Sequence, residues 1–190
     1  MLQTLKRKFI GDKAFYYGLL VLIVPMIIQQ GITNFVSLLD NVMVGRLGTE
    51  SMSGVAIVNQ LIFVFNITIF GGLAGASIFG AQFFGKGDHQ GVRHAFRFKI
   101  IYGLLVSALA MGLLFCFNEP LISLFLTDNG SGGDLALTLS EAKKYLSVMM
   151  VGLLPFAFSQ AYASTLKETG ETKAPMVASV IAILVNLVLN

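Results

Sequence analysis

An all-α polytopic membrane protein is the fold class that the sequence predicts, on three grounds. Hydrophobic residues make up 55% of the chain and charged residues only 12%, with a mean hydropathy of +0.78. Soluble domains carry about 25% charged residues. The apolar runs are also too long, and too little alternating, for barrel strands of about 10 residues. In lipid every backbone amide needs an internal partner, which helices supply.

Five spans are predicted. The first covers about residues 14–44, charge-free except for Asp40. At about 1.5 Å per residue it reaches about 46 Å, more than the ~30 Å hydrocarbon core, so it must tilt, kink or project. Pro25 is the expected kink, because it removes an amide donor from the helix interior. The second span is about 52–84 and the third about 95–117. The fourth is about 145–166 and contains Pro155 as a second kink. The fifth, about 175–190, is still apolar at Asn190.

The basic residues lie beside these spans, so the net charge of +3 is no argument for nucleic acid. Lys6, Arg7, Lys8 and Lys13, then Lys86, Arg93, Arg97 and Lys99, then Lys167 and Lys173 fall on one side. Only Arg46, Lys143 and Lys144 fall on the other. The positive-inside rule puts the N-terminus in the cytoplasm. The outer loop 118–140 then holds Glu119, Asp128, Asp134 and the flexible Gly130, Gly132 and Gly133. A retained span is expected rather than a signal peptide, since Gln29, Gln30 and Gly31 follow where a small-x-small cleavage pattern would stand. Leu2, Leu5 and Phe9 recur at helical spacing, as in a segment lying along the membrane surface, although a frayed tail fits equally.

Asp40 is the first candidate functional residue, because an ionisable group inside a span is costly and marks a site of work. Gln29, Thr33 and Ser37 precede it at steps of 4, 4 and 3. At roughly 100° per residue the four point within about 80° of one another. A lipid-facing stripe of this kind would be costly, so it is expected to face the bundle interior and bind a proton, a sodium ion or a cationic substrate. The competing reading places Asp40 at the outer interface beside Asn41 and Arg46. Asn186 and Asn190 share a face of the fifth span and could offer carbonyl oxygens to a cation, or simply join packed helices. Asn59, Gln60 and Asn66 carry the same two readings.

Other features point to no chemistry. Gly71-x-x-x-Gly75 and Ala76-x-x-x-Gly80 are expected to serve helix packing. The stretch from Gly80 to Lys86 superficially resembles a phosphate-binding loop, but Gly87 stands where Ser or Thr would ligate magnesium and no strand precedes it. His89 and His94 are the only histidines and fit solvated positions better than a metal site. Cys116, the only cysteine, reads as a small buried hydrophobe. No Ser/His/Asp grouping or carboxylate pair lies at membrane depth, so an enzyme is not predicted.

Three separated strings carry a family resemblance. Pro25 followed by Leu38-Leu39-Asp40-Asn41-Val42-Met43-Val44-Gly45-Arg46-Leu47-Gly48 is similar to the first helix of the multidrug and toxic compound extrusion (MATE) family. Gly85-Lys86-Gly87-Asp88 resembles the family's loop after helix two. Leu166-Lys167-Glu168-Thr169-Gly170-Glu171-Thr172-Lys173-Ala174-Pro175-Met176 resembles its loop before helix five.

The resemblance implies a fold of twelve helices in two lobes of six, of which this chain would hold five helices of the N-terminal lobe. It implies exchange of sodium ions or protons for cationic, often aromatic, drugs across a plasma or inner membrane. Pro25 and Asp40 match the family's kinking proline and first-helix aspartate, and Asn186 and Asn190 match its fifth-helix polar pair. Some members carry aspartate where this chain has Asn190, and some archaeal members where it has Asn34. Both departures leave Asp40 as the main titratable group and the coupling ion open. The implied partners are membrane lipid, a small cationic organic substrate and the remaining part of the transporter, with no cofactor beyond a sodium ion or proton. Two alternatives remain: a lipid-linked saccharide flippase of related architecture, disfavoured because the interior offers a carboxylate and amides rather than basic residues, and a non-transporting membrane module.

Overall fold

The computed structural model describes residues 12–46, 48–126 and 134–189. Every regular element among them is an α-helix: α1 (Lys13–Gly45), α2 (Thr49–Gly85), α3 (His89–Cys116), α4 (Asn118–Ser123), α5 (Leu135–Glu168) and α6 (Lys173–Leu189). Four of these, α1, α2, α3 and α5, are long and apolar enough to cross a membrane. The protein is therefore a multi-pass membrane protein. The expected count of five spans holds only approximately, because α6 is apolar but shorter, at 17 residues. The surface segment expected around Leu2, Leu5 and Phe9, the loop residues Asp128, Gly130, Gly132 and Gly133, and Asn190 lie outside the described residues.

The chain forms two compact units. The larger, Leu38–Thr169, is built on α2, α3 and α5, which pack on one another, with α4 against α3 and α5. The inner face of α2 carries Val58, Ile62, Phe65, Ile69, Leu73 and Ala76, at the three-and-four spacing of one helical face. Leu146, Leu153, Ala157 and Ala161 answer from α5. Large apolar side chains also cover the outside, among them Phe63, Val64, Leu105, Leu109, Phe115, Val148 and Val151. A helix that is apolar all round belongs in lipid.

The inner face of α3 is unusual. Its buried positions are Gly91, Lys99, Gly103, Ser107 and Leu114, small or polar apart from the last. Gly103 lets α3 lie close to α5, where an added Cβ would sit 3.4 Å from the Ala157 Cβ.

Of the two expected packing motifs, Ala76-x-x-x-Gly80 is buried against its neighbours and Gly71-x-x-x-Gly75 is not, while the closest backbone-to-backbone approach is at Gly54. A Cβ on Gly71 or Gly75 would meet nothing within 4 Å, so this pair serves no packing within the described unit. Gly54 does: a Cβ there would lie 2.9 Å from the Ala142 amide nitrogen and 3.1 Å from the Thr138 carbonyl oxygen. Both are backbone atoms, so α2 and α5 would have to separate. Gly54→Ala should therefore destabilise the bundle by about 1–3 kcal/mol, the usual range for overpacking, measured by thermal unfolding in mild detergent. Gly71→Ala should leave the unfolding temperature no lower, and raise it slightly if the helix-propensity gain of about 0.5–1 kcal/mol is realised.

Two turns explain local sequence. After Gly85 the chain reverses through Gly87, whose φ of +73° suits glycine, and Asp88 caps α3 by accepting from the Gly91 amide at 2.9 Å. Asp134 caps α5 by accepting from the Ala136 and Leu137 amides at 2.9 and 3.1 Å. That cap starts α5 at Leu135, ahead of the apolar run, while α4 occupies the other end of the expected 118–140 loop. Cys116 is exposed rather than buried, on the outward face at the end of α3.

The smaller unit joins Met1–Ser37 to Gly170–Asn190. Here the Gln29 amide donates to the Ser179 hydroxyl of α6 at 2.8 Å. Pro25 in α1, like Pro155 in α5, lies inside a helix that continues through it.

Candidate functional site

Asp40 stands near the C-terminal end of α1 and within the larger unit. It is half-buried, in a helix whose only other charge is Lys13 at its first residue. Tyr145 of α5 lies within its electrostatic reach. The Tyr145 hydroxyl in turn donates to the Asn59 Oδ1 of α2 at 3.4 Å. A carboxyl group, a phenol and an amide from three helices thus lie near one another, linked through Tyr145. Such a group can hold a cation by charge and orient it with neutral hydrogen-bonding atoms.

The rest of the predicted stripe has local partners. The Thr33 hydroxyl donates to the Gln29 carbonyl at 2.9 Å, and Ser37 to the Thr33 carbonyl at 3.2 Å. Both side chains are exposed and Gln29 is half-buried. These residues belong to the smaller unit, as does Asn186, which is exposed on α6. Asn66 is half-buried on α2. His89 and His94 are both exposed, and among the described residues no group of three or more His, Cys, Asp or Glu could hold a metal ion.

Sequence reasoning missed two things. Asn59 and Tyr145 meet although 86 positions apart, and no local pattern links them. The second omission is a buried ion pair. Lys99, grouped above with the cytoplasmic basic residues, is fully buried on α3 and bonds the Glu168 carboxylate at the end of α5. Its ammonium also donates to the Thr165 hydroxyl at 3.3 Å. The second Glu168 oxygen faces Gly80 of α2, where any side chain would collide with it. The signal for this pair was the four-residue step from Lys99 to Gly103 to Ser107, an inward-facing row rather than a loop charge.

The family model MatE matches residues 25–190. The chain belongs to the MatE family. This MatE chain is similar to proteins named as probable multidrug resistance protein NorM from Thermotoga maritima (23% identical, over 90% of this chain and 36% of the relative) and from Deinococcus radiodurans (28%, over 91% and 37%). It is also similar to the probable multidrug resistance protein YoeA of Bacillus subtilis (26%, over 95% and 38%). The chain thus spans little more than a third of the length of these relatives. No solved structure matches it significantly.

Proposed function

We propose that this MatE chain supplies part of the N-terminal lobe of a cell-membrane antiporter that exports cationic organic compounds in exchange for sodium ions or protons. The observation that carries the reading is Asp40: a half-buried carboxyl group in an otherwise apolar helix, within electrostatic reach of Tyr145, which bonds Asn59. The names of the relatives, as multidrug resistance proteins, support the substrate class.

The mechanism follows from one charge. A carboxylate among apolar walls favours a single neutralising cation. An aromatic cation arriving from the cytoplasm would gain the carboxylate and the faces of neighbouring aromatic rings. A proton or sodium ion arriving from outside would neutralise the same group and release the drug. Competition for one site couples the two fluxes. Alternating access would come from two lobes rocking around that site, so the activity belongs to the full-length transporter. In that protein Asp40→Asn should abolish gradient-driven export of an aromatic cation while leaving membrane insertion intact. Export at the unaltered rate would refute the role.

A further inference from the structure

Lys99 and Glu168 neutralise each other beside a groove whose remaining charge is positive. The groove, of about 440 Å³, runs between α2 and α5, with Phe70, Ala74, Ser77, Gln160, Lys167 and Glu168 among the residues lining it. Residues 160 to 167 span about 10 Å along the helix axis. Phe70 and Ala74 are both exposed and form the deeper apolar part, where the Phe70 ring meets the Phe156 ring edge-on at 6.3 Å. Ser77 and Lys167 lie toward the helix ends that the charge pattern places in the cytoplasm. Among the described residues Lys167 has no ion-pair partner. The Glu168 carboxylate would repel an anion, but Lys99 already matches it.

We propose that this groove binds an anionic phospholipid of the inner leaflet. Its polar end offers the Lys167 ammonium and the Ser77 hydroxyl to a phosphodiester, and the Gln160 amide, about 10 Å deeper along α5, to the glycerol ester carbonyls. Its apolar end receives the first methylenes of an acyl chain, with Phe70 alongside. A cationic drug is the wrong occupant, since the one unmatched charge is positive. A zwitterionic lipid would leave its own cation beside Lys167. Basic positions between spans at the cytoplasmic face suit anionic headgroups for the same electrostatic reason. The proposal rests on the orientation with the N-terminus inside, and not on the transport reading.

The test is lipid titration of the purified chain in neutral detergent, read by native mass spectrometry, with phosphatidylglycerol and phosphatidylcholine of identical acyl chains. Phosphatidylglycerol should bind at least fivefold more tightly, since one lysine near the membrane surface is worth about 1 kcal/mol. Lys167→Gln should remove that preference and leave phosphatidylcholine binding unchanged. Ala74→Phe, which fills the apolar end, should weaken both lipids, and glycerol 3-phosphate alone should not compete. Equal affinity for the two lipids, or a preference that survives Lys167→Gln, would overturn the proposal. Orientation is read separately by Glu119→Cys in a Cys116→Ser chain. A membrane-impermeant maleimide should label it from outside the cell, and labelling from the cytoplasmic side alone would overturn the inner-leaflet assignment.

Discussion

Lys99→Met should destabilise the α2–α3–α5 bundle by about 3–5 kcal/mol, and adding Glu168→Leu should recover most of the loss. The asymmetry comes from what each substitution leaves behind. The Lys99 side chain is 0% exposed and that of Glu168 9% exposed, so neither group is hydrated by water. Removing the ammonium strands the Glu168 carboxylate against Gly80, and among the described residues it has no other ion-pair partner. Removing both charges replaces a costly pair by apolar contacts of similar volume, which is often neutral. Denaturant unfolding in mild detergent measures both variants. Equal stability of Lys99→Met and the unaltered chain would show that water or another cation reaches Glu168.

Asp40→Asn should lower coupled export by about 30-fold or more, since removing one member of a charge pair, here the carboxylate and its bound cation, costs about 2–5 kcal/mol. Asparagine keeps the size and shape of the side chain. It loses the charge that both the ion and the drug are proposed to share. A structural role for the carboxylate would instead reduce the amount of protein in the membrane, so quantifying protein beside export separates the two causes.

The fold class was legible because lipid imposes a simple rule on composition: few charges and long apolar runs. Asp40 was legible for the same reason, as the one exception in its run. The contacts across the bundle were not. Lys99 sits near three other basic residues, so it reads as one more interfacial charge; its partner is 69 positions away, and only the packed helices bring them together. Gly54 belongs to no small-residue repeat, yet it makes the close approach, because crossing position depends on the partner helix. Gly71 and Gly75 have the repeat and make no such contact in the described unit. Spacing along one helix tells which residues share a face, and the partner helix decides which of those faces is used.

The central claim is that one carboxylate serves both the ion and the drug, and competition binding tests it most directly. A fluorescent aromatic cation is titrated into the purified full-length transporter at rising sodium concentration and, separately, at falling pH. The account predicts that one of these ions raises the apparent Kd of the dye linearly with its concentration, with the signal at saturation unchanged and the effect lost in Asp40→Asn. A dye affinity indifferent to both ions, or ion sensitivity that persists in Asp40→Asn, would contradict it.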